Sequence, residues 1–381
     1  MTTTLTHALH REHFPILADS TYLVSHSMGA ACRGARTALD DYWNQWAAEG
    51  PEAWEQWLPG IGAIADGIGA IVGAVPGSVF LGPNVSVLQA AIATCVAFTG
   101  ERNEVAYETL QFPSLTYVWR EWERYGAVAR VIPSDDGRTI PTERIVEAIT
   151  ERTAIAVLSH AYYVSGAVAD VRTIQAHCRN VGALLCVDAY QTTGVYPYDV
   201  TEWDLDLVTG GSHKWLCGGP GCGWIYVKPA LLERFRPAVT GWMAHARPFA
   251  FEAAPIEPAA SMYRFGNGTP TIPGYAVAKP GHDFIRTIGV PRIREHNVRL
   301  TTRIAAMALD RGLRVNTPLD AQRRTGWIGI DFEGSERVCR ELIARRVFVD
   351  YRPGCGIRVS PHFYTTDDEI DSFFEAVDRL R

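Results

Sequence analysis

The chain has 381 residues, of which 47% are hydrophobic and 20% charged, and its formal net charge at pH 7 is -6. That length is enough for a large buried core. The composition excludes a disordered chain, and the acidic balance offers no basic surface to nucleic acid.

The opening MTTTLTHALHREHF lacks the basic start and apolar run of a signal peptide. The eight cysteines contain no CxxC pair, which points to a reduced, cytoplasmic chain. His7, His10 and His13 could share a helix face, a pattern that suits a solvated or dimer-contacting arm better than a metal site without a fourth ligand. Residues 60–83 are the most apolar stretch, but Asp66 and Pro76 interrupt it. A packed helix is expected there, with no membrane span. GIGAIA, from Gly60, mimics a dinucleotide fingerprint but lacks the preceding strand.

LGPNVSVLQAAIAT reads as a loop entering a helix at Asn84, Val85 and Ser86. Such a helix start presents N–H groups and a positive dipole end to a phosphate, although an ordinary N-cap explains it equally well. From Glu104 onward short apolar runs alternate with amphipathic ones. EVAYE, AVARVIP, TAIAVLSH, LLCVDAY and DLVTGG read as strands, and PTERIVEAITER and RTIQAHCRNVGA as helices between them. The pattern predicts an α/β fold with a mostly parallel, doubly wound sheet buried between helix layers. GWIYV continues the strands, and the Pro- and Gly-rich stretch to Pro270 suits a site wall. From Ile272 a long helical stretch, three short strand patterns and the last helix DDEIDSFFEAVDRL predict a smaller α+β domain. The organisation expected is an arm over 1–20, a large domain over 21–271 and a small domain over 272–381.

Ligands in open α/β sheets lie beyond the carboxyl ends of the strands. Asp188 ends one apolar run and Lys214, in GGSHKWLCGGPG, follows another, so both face one crevice. An amine and a carboxylate so placed suit pyridoxal 5'-phosphate (PLP): its aldehyde takes the amine and its ring nitrogen the carboxylate. A turn-capping aspartate beside a solvated lysine is the alternative. Phe112, in QFPS, suits stacking on the cofactor ring or a place in the core.

SHAYYVSGAVADV, GALLCVDAYQTTGVYPYDV, GGSHKWLCGGPGCGWIYV and GIRVSPHFYTTDDEID together resemble the class V aminotransferase family of fold-type I PLP enzymes, over roughly residues 20 to 375. SHSMGA (Ser25 to Ala30), QFPS, GWMAH and GNGTP are similar to kynureninase and its relatives. HKWL and DAYQ are closer to cysteine desulfurase and isopenicillin N epimerase. The resemblance implies Lys214 as the Schiff-base lysine and Asp188 as the pyridinium partner, with Gln191 on the cofactor's phenolic oxygen. It implies Val85, Ser86, Ser212 and His213 around the phosphate and Phe112 on the ring. Thr269, joined by Trp242, would reach the phosphate of a neighbouring subunit, which implies a homodimer. Arg358 would bind the substrate α-carboxylate in bidentate geometry, a structural salt bridge being the alternative, and His26, Ser27 and Tyr162 would line the substrate pocket.

The chain departs from kynureninase where that family commonly has a tyrosine before the lysine, a histidine three residues after the aspartate and an aspartate after the FPS turn: here stand His213, Gln191 and Leu115. Cys355, the candidate for a persulfide-forming thiol, lies in a short turn beside Arg358. A kynureninase-like frame without its hydrolytic residues suggests a PLP-dependent lyase, with C–S β-elimination from a cysteine S-conjugate as the leading reaction. The resemblance extends to enzymes that tailor sulfur-containing secondary metabolites such as lincosamide antibiotics. Decarboxylating deamination, transamination, epimerisation, kynureninase-like hydrolysis and a non-enzymatic PLP-fold binding module remain open alternatives.

Overall fold

The computed structural model describes residues 8–381. Seven strands form the main sheet: β1 (Val79–Gly82), β2 (Glu104–Glu108), β3 (Val128–Ile132), β4 (Thr153–Ser159), β5 (Leu184–Asp188), β6 (Leu207–Gly211) and β7 (Gly223–Val227). Their order across the sheet is β1-β7-β6-β5-β4-β2-β3. The five strands β3, β2, β4, β5 and β6 run parallel, whereas β7 is antiparallel to both β6 and β1. The central strands β4, β6 and β7 are buried along their whole length, as their uninterrupted apolar runs require in a sheet covered on both faces.

The apolar stretch 60–83 divides between two elements. A helix, α2 (Trp54–Val72), follows α1 (Arg33–Glu49) and stops at Gly73, whose φ of 72° is left-handed, and β1 then begins at Val79. Glycine ends the helix there because a Cβ at that position would meet the Asp199 carboxylate at 2.1 Å. The crossovers place α3 (Val85–Ala93), α4 (Pro113–Arg120), α5 (Thr142–Ala148) and α6 (Val171–Val181) on the sheet faces. Helix α5 is shorter than the sequence pattern suggests, because Ile149 takes an extended backbone and a turn over residues 150–152 then leads into β4.

Helix α7 (Ile272–Ile288) connects the two halves of the molecule. Ile272, Tyr275 and Ala278 join the core beneath the large sheet, while Ile285 and Ile288 pack in the cluster around Trp215, Trp327 and Phe363. Beyond α8 (Val290–Asp310), an antiparallel sheet in the order β10-β11-β9-β8 is built from β8 (Arg314–Val315), β9 (Ile328–Asp331), β10 (Asp350–Arg352) and β11 (Gly356–Val359). It is covered by α9 (Ser335–Ala344) and α10 (Asp367–Leu380), the latter opened by a capping box between Thr366 and Glu369.

The N-terminal segment is stitched to this smaller sheet region. Thr21–Tyr22 pairs parallel with Val347–Phe348, and Arg11 donates to both carboxylate oxygens of Glu369 at 2.8 and 3.1 Å. His7 lies outside the described residues, while His10 and His13 both pack against Phe284, so these two line the molecule's own body. Among the described residues no three His, Cys, Asp or Glu groups could hold a metal ion, and no helix is long and apolar enough to cross a membrane.

Candidate active site

A cavity of about 220 Å³ opens at the carboxyl ends of β4, β5 and β6, lined in part by Val85, Ser86, Phe112, Asp188, Gln191, His213 and Lys214. The sheet explains the convergence. Asp188 is the last residue of β5, and Lys214 follows β6, the strand hydrogen-bonded beside it. Two side chains distant in sequence thus emerge at one edge.

Lys214 is half-buried, and desolvation of its ammonium pushes it down to about 8, against the pull of Asp188 and with the help of Arg358. Its Nζ lies 4.7 Å from the ring centroid of Tyr190 and 5.5 Å from that of Phe112. Burial lifts the Asp188 carboxyl to about 6, opposed by the Tyr190 N–H and by the charge of Lys214. That N–H donates to Asp188 Oδ1 at 3.0 Å, which fixes the carboxylate. His213 is pushed down to about 4 by burial and then by Lys214, so it is a neutral imidazole at pH 7.

The opposite wall is the start of α3. Asn84 caps it by accepting from the Val87 N–H, and the first N–H groups of any helix have no partner within it. With Val85 and Ser86 in the cavity wall, this terminus suits an anion. Gly223 lets β7 pass beneath, since a Cβ there would meet the Asn84 backbone at 2.9 Å. Gln191 donates through Nε2 to the His26 carbonyl at 3.3 Å, while its buried Oε1 has no hydrogen-bond partner. An unsatisfied acceptor in the wall of a cavity calls for a ligand.

Five residues singled out in the sequence stand elsewhere. Tyr162 belongs to the core cluster beneath the sheet, and its neighbour Tyr163 lines the cavity instead. Consecutive side chains leaving a strand point to opposite sides, so the correction is a shift of one. Ser212 is fully buried and its Oγ lies 2.8 Å from His282 Nε2, so that hydroxyl is already engaged behind the cavity wall. Ser27 is half-buried, and its N–H donates to the Val24 carbonyl. Trp242 packs on Trp54, Phe249 and Phe251, and Thr269 lines a separate cavity with Phe80 and Pro83.

Arg358 and His26 form a cluster beside the cavity, centred on a residue not anticipated from the sequence. Arg358 donates to Asp350 through Nε at 2.8 Å and Nη2 at 2.5 Å, and through Nη1 to the Tyr163 carbonyl at 2.7 Å. His26 Nε2 lies 2.9 Å from Asp350 Oδ1 and its Nδ1 2.8 Å from Ser360 Oγ. Sequence reasoning also missed Tyr190, whose place beside Asp188 was its only signal, and Ser159, Ser114 and Ala161, which line the same cavity.

These features define a pocket with a helix start suited to an anion at one end, a carboxylate beside it and one lysine whose ammonium loses its proton more readily than usual. Residues 86–373 match the family Aminotransferase class-V, and the chain belongs to that family. It is 29% identical over 361 residues to the uncharacterized aminotransferase YcbU of Bacillus subtilis (strain 168), covering 95% of this chain and 94% of that protein. It is 26% identical over 377 residues to a kynureninase of Geobacillus thermodenitrificans (strain NG80-2), covering 94% and 88%. In fold it is similar to a cysteine desulfurase from Thermococcus onnurineus NA1, with a TM-score of 0.87 at 16% identity over 100% and 98% of the two chains. It also matches the cystine C–S lyase C-DES, with a TM-score of 0.84 at 19% identity over 95% and 98%. The family's cofactor, pyridoxal 5'-phosphate, fits the residues present: a lysine, a fixed carboxylate, a helix start and an unsatisfied Gln191 oxygen.

Proposed function

We propose that the protein is a PLP-dependent lyase acting at the β-carbon of an amino acid, with C–S β-elimination from a cysteine S-conjugate as its reaction. The observation that carries this reading is the cavity wall. It pairs Lys214 and Asp188 with Phe112, Leu115, Tyr163 and Tyr190, where a kynureninase-like hydrolase would present an aspartate at Leu115. Such a wall supports proton removal and exclusion of water more than activation of a water molecule.

When bound, PLP supplies an electron sink in conjugation with the substrate Cα. Lys214 Nζ, held near 8 by burial, takes the Cα proton as a general base. Asp188 keeps a proton on the cofactor's ring nitrogen. The aromatic walls hold the Cβ–S bond in line and keep solvent out. The C–S bond breaks with its electron pair on sulfur, and water then completes the balance: conjugate and water give thiol, pyruvate and ammonia. Thr269 and Trp242, away from this chain's own cavity, are assigned to the site of a second subunit in a homodimer.

Two measurements test the reading. The purified protein with PLP is expected to be yellow, and Lys214→Ala to lose that colour. Incubation with a panel of S-substituted cysteines is expected to release pyruvate and thiol in equal amounts. A yellow protein that forms no pyruvate from any conjugate sinks the lyase assignment, and transamination is then distinguished by its need for an amino acceptor.

A further inference from the structure

Arg358 adjoins the cavity through Tyr163, yet its fork is occupied. Three of its N–H groups are engaged, two by Asp350 and one by the Tyr163 carbonyl, and the side chain is only 3% exposed. The pairing is set by the backbone, because Asp350 and Arg358 are Cα partners across β10 and β11. Directly opposed residues on one face of an antiparallel pair have Cβ atoms about 5 Å apart, so the two side chains leave the sheet side by side.

Asp350 is held from two further directions. His26 Nε2 lies 2.9 Å away on one oxygen, and Arg352 Nη2 lies 3.5 Å from the other. Burial alone would raise the Asp350 carboxyl, but His26 and Arg358 hold it well below the ordinary carboxylate range. The carboxylate is therefore permanently ionised at any working pH. A guanidinium that receives a substrate carboxylate in bidentate geometry needs its fork open. Here an incoming carboxylate meets a neutral pair with a fixed negative charge beside the remaining donors.

We propose that Asp350 is a specificity-determining residue: by filling the Arg358 fork it removes most of the charge pull on a substrate α-carboxylate, so the site takes amino acids with a masked carboxyl nearly as well as the free acids. The inference rests on the reading above that an amino-acid substrate binds beside Lys214 with its carboxyl toward Arg358.

The test uses the PLP-loaded protein and two probes, L-alanine and L-alaninamide, each counted as free amine. Binding is read from the change in cofactor absorbance, which needs no turnover. The wild-type affinities are expected to lie within about tenfold of each other, where an open arginine fork would favour the acid by more than that through its charge-assisted bonds. Asp350→Asn is expected to tighten L-alanine by about tenfold or more while moving L-alaninamide by less than about threefold. A wild-type preference for the acid above about tenfold overturns the proposal, and so does an Asp350→Asn variant that weakens both probes alike, the mark of a scaffold role. If Asp350→Asn does not fold, the wild-type ratio decides alone. No absorbance change with either probe sinks the shared premise of an amino-acid site, whereas the expected ratio without thiol release sinks only the lyase reading.

Discussion

The hydroxyl of Tyr190 lies 1.8 Å from the position a Cβ would occupy on Gly211. Gly211 closes β6 three residues before Lys214, and the Tyr190 ring sits 4.7 Å from Lys214 Nζ and 5.2 Å from His213. The missing side chain therefore lets the tyrosine pass under the lysine loop. Gly211→Ala is expected to cost about 1–3 kcal/mol, as overpacked cores do, and to weaken PLP binding at least tenfold. In the Tyr190→Ala background the same change is expected to cost much less. Equal penalties in the two backgrounds, measured by denaturant melts and cofactor titration, would remove the steric explanation.

The protonation of Lys214 sets a pH signature. Capture of an aldehyde needs the neutral amine, and burial brings the ammonium down to about 8. The rate of PLP uptake by the cofactor-free protein is expected to rise about tenfold per pH unit below that value and to level off above it. Asp188 pulls the Lys214 value upward, so Asp188→Asn is expected to move the midpoint lower. Arg358 pushes it downward, and Arg358→Met is expected to move it higher. Stopped-flow uptake from pH 6 to 10 checks both signs.

How much of this was legible in the sequence depends on what kind of relationship each residue has. Asp188 and Lys214 could be placed because the end of a buried apolar run is readable, and ends of adjacent parallel strands share one edge. Six of the seven strands of the large sheet were readable as short, mainly apolar runs. Tyr162 was placed one position off, Tyr163 being on the wall, and of the pair Ser212 and His213 only His213 reaches it. Which of two consecutive residues faces a cavity is set by the path of the chain after the strand ends, and composition does not encode that path. Asp350 carried no signal at all, because it reaches Arg358 through the register of β10 on β11. The division of residues 60–83 into helix and strand was obscured by a continuous Gly/Ala-rich stretch with neither a clean 3.6 nor a clean 2 period.

The cysteines offer a test against persulfide chemistry. Cys355 is 1% exposed, and burial pushes its thiol up to about 12, with Arg358 pulling against that rise. Cys222 is likewise pushed up to about 12 by burial. A thiol that must become a nucleophilic thiolate needs the opposite environment, exposed and electropositive. Cys355→Ser and Cys222→Ser are each expected to keep at least about half of the thiol-releasing activity, since only a small packed residue is altered. Loss of more than about a hundredfold in Cys355→Ser, with cofactor binding intact, would mean that sulfur passes through that residue.

Glu108 gives a prediction for stability. It ends β2, is 1% exposed, accepts the Ser159 N–H on Oε1 at 2.7 Å and leaves Oε2 without a partner. Burial raises its carboxyl from 4.5 to about 7, the Ser159 hydrogen bond opposes the rise, and Asp188 adds to it. A folded-state value above the unfolded one means that the group favours the native state most at low pH. That contribution is fully present below about 4.5 and is lost as pH rises to about 7, a change of about 3 kcal/mol at 1.36 kcal/mol per unit. Glu108→Gln cannot ionise, and its amide oxygen can still accept the Ser159 N–H. Relative to wild type, the variant is expected to gain about 2–3 kcal/mol of unfolding free energy between pH 5 and pH 8. Denaturant melts of the cofactor-free protein at those two pH values check it, and parallel curves for the two proteins would show that Glu108 titrates normally.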